Sequence, residues 1–296
     1  MPTVDVNATT LHYDRTGSGP PLLFVHGMCG DADVWAEPVR RLADRFTCVT
    51  YDRRGHSRSP LGAGTERPGA GTGDAQHADD AAALVEALDL APCLVVGSSG
   101  GAVVALDLVL RHRRLLWGAV LSEPPLFGLD PDGGRALLGE LGPRLDRAVA
   151  DGGSRAAVDA FFSLVCPGLW SRLGEDRKDR YRANGAVGLA DLRAPSLAVT
   201  EGDLRAVDLP VLVLTGDRSH PAFRSIAHRL ADALPDARLV ELAGSGHVTY
   251  AEQPATFAHA VAVFARDLGL DARPAGAARH PRPGPAAPPR RSDGST

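Results

Sequence analysis

Two serines and three glycines form the sequence GSSGG at residues 97–101, directly after the apolar run CLVV. The pattern is G-x-S-x-G, in which Gly97 and Gly101 flank Ser99 and Ser98 fills a variable position. Between a strand and a helix, such glycines let the two elements pass closely while the central serine sits on a strained turn. A serine hydroxyl is a poor nucleophile at neutral pH. Chemistry at Ser99 therefore requires a base and a group that orients the base.

Two further segments can supply the remaining parts of a nucleophilic site. HGMCG at 26–30 follows the apolar run LLFV, and a tight turn at His26 and Gly27 can aim a backbone N–H at a developing oxyanion. We assign the backbone amides of Met28 and Gly100 as the two oxyanion donors. GSGHVTY at 244–250 presents His247 on a short glycine loop after a strand, which predicts this histidine as the base.

A dinucleotide-binding turn is the competing interpretation of the glycine-rich segment, with Glu123 after the next strand available to a ribose hydroxyl. The fingerprint G-x-G-x-x-G requires its second glycine where Ser99 stands, because the backbone must approach the pyrophosphate there. This interpretation also leaves HGMCG and GSGH unexplained. Nucleophilic catalysis is therefore favoured over nucleotide binding.

The elements that must position these residues alternate between strand and helix patterns. Residues 3–6 and 10–14 predict a polar hairpin. Further strands are predicted at 22–25, 46–51, 93–96, 117–122, 211–214 and 237–242. Helical periodicity separates most of these strands. The alternation predicts an α/β fold with a mostly parallel sheet covered on both faces.

The strand and helix alternation stops between Pro124 and Pro210, where the sequence predicts helices only. Loops within this interval are predicted at Gly133, Gly134, Gly152, Gly153, Pro167 and Gly168. We interpret residues 124–209 as a helical cap over a site at the sheet edge, between core segments 1–123 and 210–268. Residues 269–296 are rich in Pro, Gly, Ala and Arg, a composition that predicts a disordered tail.

Composition restricts the class of protein. The 296 residues are 44% hydrophobic and 23% charged, as in an ordinary globular protein. A net charge of -4 gives no general attraction to nucleic acid or anionic membrane, so a small-molecule partner is expected. The first residues do not resemble a signal peptide and no long apolar run follows, which predicts a cytoplasmic protein without a membrane span. The four cysteines lack metal-ligand spacing, so no metal is expected. The oligomeric state is not indicated.

With HG, G-x-S-x-G and GxGH in this order, the chain resembles the α/β-hydrolase superfamily over roughly residues 3–268. YDRRGHSRS at 51–59 is similar to the loop D-x-R-G-x-G-x-S of that family, with Ser57 in place of one glycine. The resemblance implies an eight-stranded, mostly parallel sheet with helices on both faces and a helical cap after the sixth strand. It also implies that Ser99 is the nucleophile, that His247 is the base and that no cofactor is needed.

The acid that orients the histidine is where the sequence departs from the family pattern. The family usually places it three residues beyond a glycine after the seventh strand, and Ser219 occupies that position in TGDRSH. Asp217, one residue after Gly216, is an alternative acid. Relatives such as haloalkane dehalogenases carry the acid after the sixth strand, where LSEPPL places Glu123. We predict Glu123 as the acid that holds the imidazole in the required tautomer.

A serine nucleophile favours acyl transfer over the alkyl-enzyme chemistry of relatives that attack with aspartate. The predicted reaction is hydrolysis of an ester, thioester or lactone of a small to medium apolar substrate. Predicted pocket-lining residues are Trp35, Phe127, Phe161, Phe162 and Trp170. The alternatives are a pathway-specific thioesterase, cyclase or carbon-carbon hydrolase, and a non-catalytic ligand receptor or signalling member of the same fold.

Overall fold

The computed structural model of the protein describes residues 2–62 and 72–270. Eight strands form one sheet with the order β1-β2-β4-β3-β5-β6-β7-β8. The strands are β1 (Thr3–Val6), β2 (Thr9–Thr16), β3 (Pro21–Val25), β4 (Thr47–Tyr51), β5 (Cys93–Ser98), β6 (Leu116–Ser122), β7 (Val211–Gly216) and β8 (Ala237–Leu242). Strands β1 and β2 pair antiparallel with each other, β2 pairs antiparallel with β4, and all other neighbours are parallel.

Helices follow most of the parallel strands. They are α1 (Ala36–Leu42), α2 (Asp74–Ala87), α3 (Gly100–Arg111), α4 (Pro131–Val165), α5 (Pro167–Trp170), α6 (Glu175–Ala183), α7 (Gly185–Arg193), α8 (Glu201–Arg205), α9 (Pro221–Ala233), α10 (Thr249–Glu252) and α11 (Pro254–Asp267). Short 3₁₀ helices cover Ala32–Trp35 and Arg113–Leu115. The predicted α/β fold with an eight-stranded, mostly parallel sheet is confirmed.

Both faces of the sheet are buried, as the apolar strands require. Along β3, Leu22 and Phe24 belong to the core cluster that contains residues of α1 and α11. Leu23 and Val25 belong to the cluster that contains residues of α2, α3 and α9. This alternation follows from the two-residue period of a strand, so a continuous apolar run fills two cores at once.

Helices α4 to α8 occupy the chain between β6 and β7, where the sequence predicts helices only. The predicted loop at Gly133 and Gly134 is wrong, because both residues lie in the first turns of α4. Asp130 explains the early start, since its side chain accepts a hydrogen bond from the Gly133 amide and caps the helix. At Gly152 and Gly153 the backbone leaves helical geometry and kinks α4.

The predicted disordered tail lies, from residue 271 onwards, outside the described residues. Within the described part of the chain, no helix has the length and apolar character needed to cross a membrane. The four cysteines are all described, and each is a free, buried thiol.

Candidate active site

The turn between β5 and α3 holds Ser99 in a strained backbone conformation, with φ of 54° and ψ of -125°. The flanking glycines are required by close packing. A Cβ on Gly97 would lie 2.2 Å from the carbonyl oxygen of Gly101, and a Cβ on Gly101 would lie 2.1 Å from that of Val25. Helix α3 therefore begins directly against β3 and β5, and the turn holds the serine at the carboxyl end of the sheet.

His247 lies in the loop after β8 and contacts both other candidate residues. Its Nε2 is 3.0 Å from Ser99 Oγ, and its Nδ1 is 2.6 Å from Glu123 Oε2. An ionised carboxylate only accepts hydrogen bonds, so Nδ1 carries the proton of the neutral ring. Nε2 is then free to accept the serine hydroxyl proton. The Phe223 ring packs on the imidazole with the two ring centroids 4.1 Å apart.

Glu123 follows β6 and is fully buried. Its Oε1 accepts from the Thr215 hydroxyl at 2.7 Å and the Gly216 amide at 2.8 Å. Its Oε2 accepts from the Ser219 hydroxyl at 2.6 Å in addition to His247 Nδ1. These donors fix the carboxylate in place. They also compensate for the free-energy cost of removing its charge from water, which is large for an unpaired buried charge.

The two other residues considered at the acid position lie in the loop after β7. Asp217 does not reach His247 in the described structure, and its Oδ1 instead accepts a hydrogen bond from the Gly244 amide at 2.8 Å. Ser219, at the position where the family usually carries the acid, donates to Glu123 Oε2. A serine in place of the usual acid thus contacts the carboxylate that comes from the neighbouring strand.

Met28 and Gly100 line the same cavity as Ser99. The Met28 nitrogen lies 4.0 Å from the position of a Cβ on Gly100. Within the described residues, neither N–H donates to a protein acceptor. The peptide group that carries the Met28 N–H is held at its other end, because the Gly27 carbonyl accepts from the Gly30 amide at 3.2 Å.

His26 also holds this peptide group. Its Nε2 accepts from the Arg53 amide at 3.0 Å, so Nδ1 carries the proton and donates to the Gly27 carbonyl at 2.9 Å. Burial, followed by the nearby Arg53 charge, lowers the pKa of His26 well below its usual value. The ring is therefore neutral at pH 7, and it acts here as a rigid connection between two loops.

A cavity of about 300 Å³ extends from Ser99 between the sheet edge and the inserted helices. Phe127 and Phe161 line it. Phe162 instead lines a recess of about 20 Å³ on the His247 side of Ser99, together with Phe161.

The predictions for Trp35 and Trp170 are wrong, because neither lines these two spaces. Trp35 is fully buried and packs on Phe24 and Tyr250 in the core, with ring centroids 5.3 and 4.3 Å apart. Trp170 stacks on Phe162 at 4.8 Å within the inserted helices. Both tryptophans belong to the same cluster of buried core residues.

Four polar residues that the sequence interpretation did not assign to the site also line the cavity. They are Arg53, Asp74, Asp191 and Ser196. Burial raises the pKa of both aspartates. For Arg53 the sequence offered a signal, because this residue lies in YDRRGHSRS, the segment that resembles the family loop. Asp191 and Ser196 lie in or beyond α7, and no local pattern relates them to Ser99.

The sheet has eight strands and is mostly parallel, and hydrogen bonds beyond its strand ends connect Ser99 to His247 and His247 to Glu123. This combination of fold and site defines the α/β-hydrolase class. The family model described as "Alpha/beta hydrolase family" matches residues 22–260, and the chain belongs to this family of hydrolases.

Relatives and solved structures agree with this assignment. RutD of Agrobacterium fabrum is 30% identical over 260 residues, which cover 83% of this chain and 93% of that protein. The uncharacterized hydrolase YraK of Bacillus subtilis is 43% identical over 127 residues, but this alignment spans only 45% of YraK and 43% of this chain. A thermophilic esterase from Thermogutta terrifontis has a similar fold, with a TM-score of 0.73 and 23% identity over 90% of this chain and 99% of that chain.

Proposed function

We propose that the protein is a serine hydrolase that cleaves an ester, thioester or lactone of a small to medium apolar substrate through an acyl-enzyme intermediate. The observation that carries this proposal is the chain of hydrogen bonds from Ser99 through His247 to Glu123, beside two amides free to donate. Such a chain provides a nucleophile, a base and an orienting group within reach of one reacting carbonyl.

In the proposed mechanism, Ser99 Oγ attacks the carbonyl carbon while His247 Nε2 takes the hydroxyl proton. The Met28 and Gly100 amides donate to the oxyanion that forms. Glu123 stabilises the imidazolium. The oxyanion then re-forms the carbonyl and the bond to the leaving group breaks, while the imidazolium passes its proton to the leaving atom, which is oxygen in an ester or lactone and sulfur in a thioester. Water then attacks the acyl-enzyme, with His247 as base, and releases the acid and the free serine.

The two spaces at Ser99 suggest where each part of the substrate binds. The leaving oxygen must lie beside His247 Nε2 to receive its proton, and His247 lines the recess but not the larger cavity. The cavity, which Met28 and Gly100 line, is therefore assigned to the acyl group. A recess of about 20 Å³ has room for roughly one water-sized group, so it suits a small leaving group and then the hydrolytic water.

We also propose that the helices within residues 124–209 act as a cap that closes both spaces. Asn184 Nδ2 donates to the carbonyls of Cys29 at 3.1 Å and Gly30 at 3.0 Å, next to the proposed oxyanion loop. Arg180, on α6, pairs with Asp31 at 2.6 Å. These contacts connect the inserted helices to the sheet edge beside the two spaces.

The small recess predicts a strong preference for small leaving groups. For one acyl group, the methyl ester should have a kcat/KM at least about tenfold above that of the benzyl ester, since the added atoms do not fit. Steady-state kinetics on the ester pair measures this ratio. Phe162→Leu, which removes ring atoms from the recess wall, should lower the ratio. Equal kcat/KM values for the two esters would place the leaving group elsewhere.

Covalent labelling tests the proposed nucleophile directly. A small fluorophosphonate should add once per chain, and peptide mapping should locate the adduct on Ser99, because Ser99 is the serine hydrogen-bonded to His247. Intact-mass spectrometry provides the count. Ser98→Ala should be labelled at a rate close to that of the unmodified protein. An adduct that persists in Ser99→Ala would rule out this nucleophile.

A further inference from the structure

Arg53 is a buried cation in the wall of the large cavity, and its side-chain N–H groups have few close hydrogen-bond acceptors. Its side chain is 4% exposed. Its Nε–H has no acceptor within residues 2–62 and 72–270. One terminal nitrogen lies 3.4 Å from the Gly27 carbonyl and the other lies 3.5 Å from Asp191 Oδ2, both long for hydrogen bonds. A guanidinium has five N–H donors, and the two terminal nitrogens, which make only these long contacts within the described residues, can donate to a ligand.

The carboxylates around the cavity, by contrast, already have protein donors. Asp191 Oδ1 accepts from the Thr72 amide at 3.1 Å, and its Oδ2 accepts from His77 Nε2 at 3.0 Å. Asp74 Oδ2 accepts from the Ser196 hydroxyl at 3.1 Å. At the polar end of the cavity, Arg53 therefore supplies N–H donors that lack a close protein acceptor. A ligand that satisfies it must bring an oxygen acceptor.

Charge decides which oxygen acceptor fits. Asp191 already opposes the Arg53 charge at 3.5 Å, and Asp74 lines the same cavity. A substrate carboxylate would bring a third negative charge next to these two carboxylates, at a site with little water to screen it. A ketone or amide carbonyl accepts the same N–H groups without that repulsion.

We propose that Arg53 is a specificity-determining residue that binds a second, neutral carbonyl oxygen on the substrate. The inference rests on the proposed function, because the cavity that contains Arg53 is the one assigned to the acyl group. The preferred substrates are then esters of oxo-acyl or amido-acyl chains with small alcohols. Leu137, Leu141 and Val165 line the same cavity and provide an apolar surface for the methylene groups between the two carbonyls.

Three methyl esters of matched length test this specificity: methyl 5-oxohexanoate, methyl hexanoate and monomethyl glutarate. In the unmodified protein, kcat/KM for the oxo ester should exceed that for the hexanoate by about tenfold or more, because a hydrogen bond from a charged donor is gained. The glutarate should be the poorest of the three. Arg53→Met keeps the aliphatic stem and the backbone bond to His26, and should bring the oxo-to-hexanoate ratio to about one.

Arg58→Met is the matched control, because Arg58 belongs to the same loop, pairs with Asp52 and does not line the cavity. It should keep the unmodified oxo-to-hexanoate ratio. If Arg53→Met fails to fold, Arg53→Lys keeps the charge beside Asp191 but loses the planar fork, and it should lower the ratio several-fold. A parallel loss of both activities in the Arg53 variants would indicate a structural role and overturn the inference.

A binding measurement separates this inference from the proposed function. By calorimetry, Ser99→Ala should bind methyl 5-oxohexanoate about tenfold more tightly than Ser99→Ala/Arg53→Met does. Hydrolysis of the hexanoate without a preference for the oxo ester, or a preference for the glutarate, overturns the Arg53 assignment and leaves the hydrolase mechanism standing. Tight binding through Arg53 without hydrolysis or Ser99 labelling overturns the mechanism and supports the binding site.

Discussion

Ser99→Ala is expected to lower kcat by about 10⁵ to 10⁶, the scale seen when the nucleophile of a serine hydrolase is removed. The hydroxyl is the group that forms the covalent intermediate, and no other hydroxyl is hydrogen-bonded to His247 in the described structure. The proposed oxyanion amides and the cavity remain, so a residual rate above the uncatalysed reaction should persist. Steady-state and single-turnover kinetics on a methyl ester measure this loss.

Ser98→Ala is the matched control for this prediction, since Ser98 is adjacent in sequence but belongs to β5. It should keep most of the activity. The thermal midpoint of Ser99→Ala should be close to that of the unmodified protein, because alanine keeps the Cβ and the strained turn and loses only the hydrogen bond to His247. A Ser99→Ala protein that retains substantial turnover would contradict the proposed mechanism.

Glu123→Gln is expected to lower kcat by about 10³ to 10⁴ without loss of the fold, as in serine triads that lose their orienting carboxylate. The Gln oxygen can still accept from Thr215 and Gly216, which Glu123 Oε1 does at 2.7 and 2.8 Å. Its NH₂ group then faces His247 Nδ1, where the carboxylate accepted. Two donors cannot share this contact, so the ring moves its proton to Nε2 and loses the lone pair that Ser99 needs.

Two companion variants test whether position or charge is responsible. Asp217→Asn should have a kcat close to that of the unmodified protein, because an Asn oxygen can keep the hydrogen bond from the Gly244 amide. Glu123→Gln/Ser219→Asp should recover part of the lost rate, since Ser219 Oγ lies 2.6 Å from the oxygen that accepts from His247. A silent Glu123→Gln together with a crippling Asp217→Asn would assign the acid to the loop after β7.

The fold was predictable because its signals are local. Apolar runs of strand length that alternate with helical segments are compatible with few folds other than a parallel sheet covered on both faces. This prediction is confirmed. The Ser99 turn was also predictable, since only glycines fit at Gly97 and Gly101 when helix and strand pass this closely. Segments that follow the carboxyl ends of parallel strands meet at one sheet edge, so the approach of His247 and Glu123 to Ser99 followed from topology.

The tertiary structure decided what surrounds that chain of residues. Sequence alone left two acids open. The packing of β6 beside β7 distinguishes them, because it places Glu123 between Ser219 and His247. Asp217 stays on the loop after β7 and contacts the Gly244 amide instead. The placement of Trp35 in the core and of Arg53 in the cavity wall has the same origin. Such contacts join residues far apart in the chain, and they depend on how the strands, the loops that follow them and the helices pack together. Short-range steric rules determine a turn, but only three-dimensional packing determines which side chains share a cavity.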